Sequence, residues 1–380
     1  MTEDGLAVLP SVIREFAIYG EPESAAAHGS GLINETFVSR WNQAGAQVRY
    51  LHQRINEHVF THPEEVMENI SRVTAHMAGK LRASNTSGLS RRTLTVVNGL
   101  DGKPWVRDAG GGWWRTYLFI EGAHTRDLAS SPEEAALLGR SIGSFQKQLA
   151  SLGGRRLNET IPGFHNMESR YTLFYRALSE DSRKRASRAG PEIEFMRENE
   201  ERGGVLIRAL RSGHIPERIC HNDTKMNNIL IDDKENTALC VCDLDTVMPG
   251  TVLFDSGDLI RTITNRVRED EPDLSGLDFD LDFLKALLEA YFSEASVFLT
   301  RSEEDLLLES GRNLTQIMAL RFLTDYLEGD KYYRISRPDH NLDRCRNQIA
   351  LIRSMDAKWE RALEISGSLQ AGPLAIQPPL

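Results

Sequence analysis

The chemistry-bearing residues of this chain are concentrated in one stretch. It reads His221-Asn-Asp223-Thr-Lys225-Met-Asn-Asn228, then an apolar run, Ile229-Leu-Ile231, then a polar segment from Asp232 to Asn236. A second apolar run, Leu239-Cys-Val-Cys242, ends at Asp243-Leu-Asp245. Two short apolar runs flanking a polar turn predict a β-hairpin. Antiparallel pairing would set Asn228, before the first strand, beside Asp243, after the second. An amide oxygen and a carboxylate at one place suit a hard cation such as Mg²⁺. Asp223 falls just before the first strand, where a carboxylate can take a proton from a hydroxyl. Lys225 is placed to offset negative charge that builds up during reaction. His221 reads as a buttress of the loop rather than a reacting group.

His-x-Asp-x-x-x-x-Asn followed by a strand-terminal Asp is the spacing of a kinase catalytic loop. The competing interpretation is a polar loop with incidental acids, and the complete spacing weighs against it. Asp245 returns to the side of Asp243 if the strand continues. It then touches substrate or a second metal, or it is only a turn residue. Asp255 either accepts backbone N–H groups of the catalytic loop or caps the helix that follows it.

The elements that must position these residues can be read on both sides. A first helix runs from Leu6 to about Tyr19. A Gly29-Ser30-Gly31 turn then enters a strand, which makes it a candidate phosphate-cradling turn; any β-turn is the alternative. Val48 to Ile55 is the partner strand. It carries Leu51-His-Gln53-Arg54 and no lysine, so Gln53 is left to donate a single hydrogen bond to a phosphate. Pro63 opens a helix with Glu64 and Glu65 in its first turn. Glu68 on that helix has no strand lysine to pair with and reads as a solvated side chain. Strands at 92–98, 105–106 and 113–120 follow. The last leads into Phe119-Ile120-Glu121, where backbone groups would meet an adenine edge. Helices are expected over 132–152, 191–210, 281–299, 303–330 and 343–365, with Arg183 to Arg188 as a solvated basic cluster.

Composition excludes several classes. The net charge of −10 argues against nucleic acid as a partner. The amino terminus predicts no secretory leader, and no apolar run approaches membrane-spanning length. Cys220, Cys240, Cys242 and Cys345 show no metal-ligand spacing and read as core residues of a reduced, cytoplasmic protein. Nothing fixes the oligomeric state. The length of 380 residues allows two lobes. The expected fold is α+β and protein-kinase-like: a small β-rich lobe over 1–120, a larger, mostly helical lobe over 121–368, and a disordered tail over 369–380.

The chain resembles the aminoglycoside phosphotransferase and choline kinase superfamily, and within it the N-acetylhexosamine 1-kinases. The resemblance rests on Gly29-Ser-Gly-Leu-Ile-Asn34-Glu-Thr36, Tyr50-Leu-His-Gln53-Arg-Ile-Asn56 and Trp114-Arg-Thr-Tyr-Leu-Phe-Ile-Glu121. It extends through the His221 and Asp243 segments, Phe254-Asp-Ser-Gly-Asp-Leu-Ile-Arg261 and Arg321-Phe-Leu-Thr-Asp325-Tyr-Leu-Glu-Gly-Asp330. It implies ATP as phosphoryl donor, Mg²⁺ as cofactor, and transfer to the anomeric hydroxyl of N-acetylglucosamine or N-acetylgalactosamine. It also implies an acceptor site drawn from Asn34, Asp223, Asp245, Arg321, Asp325 and Tyr326. Arg321 and Asp325 share a helix face at their spacing, and a surface ion pair is the alternative there. A kinase of another small metabolite or of an aminoglycoside is the rival reading. A silent nucleotide-binding protein is the second, prompted by the missing strand lysine.

Overall fold

The computed structural model describes residues 3–29 and 33–370. Ser30 and Gly31 lie outside the described residues, as does the tail from 371. The fold is α+β, with a β-sheet amino-terminal region and a helical carboxy-terminal part. It divides into two compact units, Met1–His124 with Ser151–Pro162 and Leu230–Met248, and Thr125–Ala150 with Gly163–Ile229 and Pro249–Leu380. The chain passes between the units several times. No helix among the described residues is long and apolar enough to cross a membrane.

The first unit opens with α1 (Glu3–Val12), which continues as a short 3₁₀ turn to Glu15 and stops short of the expected Tyr19. Its sheet runs β1 (Glu21–Ala27), β2 (Glu35–Gln43), β3 (Ala46–Arg54), and, after α2 (Pro63–Ala83), β4 (Val96–Val97), β5 (Val106–Arg107) and β6 (Trp113–Leu118). The spatial order is β1-β2-β3-β6-β4, with β5 also on β6. Leu9, Val12 and Phe16 pack on Phe37, Trp41, Tyr50 and Trp114 to form the core. β2 and β3 turn at Ala44 and Gly45, both at positive φ, the backbone a tight hairpin requires. β1 was not legible in sequence because Glu-Pro-Glu-Ser-Ala-Ala-Ala has weak strand propensity and forms a mostly exposed edge. Val96–Val97 is all that forms of the strand expected over 92–98, since Leu89–Arg92 is a helical turn. β7 (Ala123–His124) pairs with β8 (Ile229–Asp232), and β9 (Ala238–Val241) lies on the other side of β8. The predicted hairpin therefore forms, turning through Asp232 N to Thr237 O at 2.8 Å.

The second unit is helical. Ser131 caps α3 (Pro132–Leu149), accepting from Glu134 N. The other long helices are α4 (Met167–Glu180), α5 (Val252–Ile263), α6 (Leu281–Ala295), α7 (Leu307–Glu328), α8 (His340–Ala357) and α9 (Trp359–Gln370). The final helix thus runs on to Gln370. α7 is buried on almost every side, so its apolar pattern lacks a single stripe. α5 crosses α7 at close range because a Cβ on Gly257 would stand 2.4 Å from the Ser310 carbonyl. That closeness holds the flanking Asp255 and Asp258 at fixed depth. Arg183, Lys184 and Arg188 are exposed as expected, while Arg185 is half-buried on Asp330 and Arg188 also pairs with Asp339.

Candidate active site

The second unit carries the catalytic loop. A short strand, Arg218–Cys220, delivers the chain to His221. Asp255, one turn into α5, accepts from His221 N at 3.0 Å and from Asn222 N at 2.6 Å. Thr251, not Asp255, caps that helix. Asp258 accepts from Thr224 N at 2.9 Å and is held by Arg261 at 2.8 Å. Gln146 of α3 donates to Asp255 at 2.9 Å and accepts from the Tyr291 hydroxyl at 2.7 Å. Three backbone N–H groups of the loop are thus held by carboxylates that are themselves held. Burial pushes the Asp255 carboxyl above its ordinary value despite His221, Gln146 and the backbone donors.

Asp223 projects from this loop, half-buried. Lys225 Nζ stands 2.9 Å from Asp223 Oδ2, and Asn228 Nδ2 donates to the same oxygen at 2.9 Å. Burial raises the Asp223 pKa. The Lys225 ammonium, His221 and Asn228 more than reverse this, leaving it below the ordinary 3.8. The carboxylate is therefore ionised at neutral pH, as a base must be. Asn228 spends its amide nitrogen on Asp223, which leaves its side-chain carbonyl oxygen as an acceptor. A hard oxygen of this kind fits Mg²⁺.

Arg321 belongs to the same unit; burial opposes the charge of its guanidinium, and Tyr333, Tyr332 and Asp223, in that order, favour it. That guanidinium lies over the rings of Phe164, Tyr333 and Tyr332 at 4.8, 5.4 and 5.6 Å. Among the described residues no carboxylate forms an ion pair with Arg321 or with nearby Arg170. Two buried polar atoms beside this cluster have no protein partner, the Tyr333 hydroxyl and His165 Nδ1. His165 Nε2 meets the Asn222 carbonyl at 3.0 Å and must donate to it, so Nδ1 is a bare acceptor. Burial holds His165 neutral, with its pKa lowered to about 3.

Asp325 and Tyr326 have other work. Asp325 accepts from the backbone N–H groups of Lys331, Tyr332 and Tyr333 at 2.8, 2.8 and 2.9 Å. It shapes the loop that brings the two tyrosines to Arg321. Tyr326 is fully buried, with its hydroxyl on Asp339. Asp325 and Tyr326 are thus engaged within the protein, while Tyr332 and Tyr333 lie against Arg321.

The first unit carries the residues that the sequence pointed to for the nucleotide. Gly29 takes φ +68°, open to glycine without cost. The neighbouring His28 ring meets Phe119 edge-on at 5.6 Å. Arg49 stacks on Phe119 at 3.9 Å and forms an ion pair with Glu121. His28, which precedes Gly29, is therefore a neighbour of the Phe119-Ile120-Glu121 segment. Gln53 is committed within the unit: it donates to Thr36 at 3.2 Å and accepts from Arg115 Nε at 2.9 Å. Arg115 forms a buried ion pair with Asp245, whose second oxygen accepts from Asn34 Nδ2 at 2.6 Å. The Asp245 carbonyl accepts from Thr160 at 2.8 Å, and Asn69 of α2 holds the Val247 carbonyl at 2.9 Å. Asp243 sits at the head of this turn at φ 56°, a conformation Asp tolerates better than most residues. Glu68, expected to be solvated, bonds to Arg155 Nε at 2.9 Å. Asn228 and Asp243 fall in different units.

A fold with a kinase-like loop, a strand-terminal Asp and a β-rich first unit meets a direct match. The family profile described as phosphotransferase enzyme family (APH) covers residues 25–296. The chain belongs to the phosphotransferase enzyme family. Solved structures of that fold are similar over nearly the whole chain. An aminoglycoside phosphotransferase from Alicyclobacillus acidocaldarius is 14% identical over 95% of each chain, at a TM-score of 0.54. A choline kinase from Cryptosporidium parvum is 14% identical over 91% of this chain and 93% of that one, at 0.52. A choline/ethanolamine kinase family protein from Mesorhizobium loti is 16% identical over 98% and 100%, at 0.51. At these identities the likeness is one of fold.

Proposed function

We propose that this phosphotransferase is an ATP-dependent kinase acting on the anomeric hydroxyl of an N-acetylhexosamine, with the sugar 1-phosphate as product. The observation that carries the reading is the grouping, within one unit, of an ionised Asp223 and an Arg321 cluster within its field. Asp223 takes the proton of the acceptor hydroxyl. The freed oxygen bonds to the γ-phosphorus, the bond to the β-phosphate oxygen breaks, and ADP leaves. Lys225 holds Asp223 ionised and offsets charge on the transferring group. Asn228 and Asp243 would hold Mg²⁺, which neutralises phosphate charge when bound. Gly29, Ser30, Gly31 and Phe119 to Glu121 are assigned to the nucleotide. Asn34, Asp245 and Arg321 are assigned to the acceptor side.

An acceptor with hydroxyls and an amide carbonyl matches what the cluster offers. Arg321 and the Tyr333 hydroxyl can donate, His165 Nδ1 can accept, and Tyr332 presents a ring face. A cationic acceptor, such as an aminoglycoside or choline, would meet two arginines with no carboxylate paired to them. Electrostatics therefore favours a neutral acceptor. An ADP-release screen across N-acetylhexosamines, simple hexoses, choline and aminoglycosides tests this. Release with an N-acetylhexosamine alone supports the reading, and release with a cation in its place rejects it.

A further inference from the structure

Strand β3 lacks the lysine that kinases of this general design place near the nucleotide phosphates. Its Gln53 lies directly opposite Arg115 of β6 in the antiparallel register. Registered partners project to the same face of a sheet, and Arg115 Nε donates to Gln53 Oε1 at 2.9 Å. Arg115 is 1% exposed, so a full charge is buried at the position a strand lysine would otherwise serve.

The surroundings of this charge indicate its purpose. One side is the start of β2, where Asn34 and Thr36 follow the glycine turn. Asn34 Nδ2 bonds to Asp245 Oδ2 at 2.6 Å, and Thr36 Oγ1 receives Gln53 Nε2 at 3.2 Å. The other side is the acidic turn itself: Asp245 pairs with Arg115, and the charge of Asp243 also stabilises the guanidinium. The cation thus stands between the residues that open β2 and the turn that carries Asp243, the proposed metal ligand. Stability alone does not account for it, because a buried ion pair is often no more stable than an apolar pair of equal size. A guanidinium that grips Gln53 and Asp245 still presents several further N–H groups, where a lysine ammonium doing the same would keep one.

We infer that Arg115 supplies, from the neighbouring strand, the fixed positive charge for the nucleotide phosphates that β3 lacks. The inference rests on the nucleotide-dependent reading above. Calorimetry on the full chain without acceptor tests it, with ADP plus Mg²⁺ and with adenosine as the phosphate-free control. The variants are Arg115→Met combined with Asp245→Asn, which removes both charges together, and the same pair with Gln53→Lys added. Arg115→Lys, which keeps the ion pair, serves if the double replacement does not fold. ADP affinity should fall about tenfold or more in the double variant, the worth of a charge-assisted bond. Adenosine affinity should hold, and Gln53→Lys should restore most of the loss. Arg115→Lys should lose several-fold for ADP and nothing for adenosine. Equal losses for ADP and adenosine, an unchanged ADP affinity, or no recovery with Gln53→Lys would each overturn the assignment. Wild-type protein that binds no ADP would overturn the nucleotide reading as well.

Discussion

Lys225 Nζ and Asp223 Oδ2 are 2.9 Å apart, on a loop whose backbone is gripped by α5. This contact keeps a half-buried carboxylate ionised. Asp223 acts as a base only when ionised, so activity is lost as pH falls through its pKa. With that pKa held below 3.8, the acid limb of turnover should lie below pH 3.8. In Lys225→Met the upward push of burial remains and its chief opponent is gone, so the limb should move toward neutrality. Rates measured within seconds of a pH jump, before acid unfolding, check this. An acid limb at the same pH in both proteins would break the link between Lys225 and Asp223.

Asp223→Asn keeps the shape and both hydrogen-bonding ends of the side chain while removing its basicity. Turnover should drop by roughly two to four decades, the usual worth of general base catalysis, with nucleotide binding retained. Near-normal turnover in this variant would move the base elsewhere.

Asp243→Asn is chosen over alanine because asparagine tolerates the positive φ of this position. The variant should bind ADP about as well as wild type without Mg²⁺ and lose the gain that Mg²⁺ confers. Titrations with and without EDTA measure that difference. An undiminished Mg²⁺ effect would remove Asp243 from the ligand set.

Asp255 accepts from two backbone donors that are otherwise buried. Asp255→Ala leaves them unmet, at about 1–3 kcal/mol for each donor. Urea unfolding should report a loss of that order, with turnover falling because the loop that carries Asp223 loosens. Stability equal to wild type would mean that the loop is held by other contacts.

What was legible in the sequence was local. The spacing from His221 to Asn228, the hairpin after it and the helix at Pro63 follow from residues close together in the chain. Gln146, Asp258 and His165 were not legible, since each reaches the catalytic loop from a distant segment and none has a spacing that marks it. Arg115 was hidden in an aromatic strand, where only the β3–β6 register reveals its partner Gln53. The partners of Asp325 were hidden for a related reason. Its spacing from Arg321 suggested a shared surface, but the chain turns back after Gly329, at φ 97°, and brings three backbone N–H groups onto it. β1 escaped because sheet pairing overrides the weak propensity of its alanines.

The anomeric hydroxyl is the most acidic on a reducing sugar, because the ring oxygen withdraws charge, and a single carboxylate base can most readily ionise that group. Phosphorus NMR of the product from N-acetylglucosamine, and from its methyl glycoside under the same conditions, tests the account most directly. A sugar 1-phosphate from the first and no phosphorylated product from the second is the predicted result. Phosphate on the 6-oxygen, or turnover of the glycoside, would contradict it.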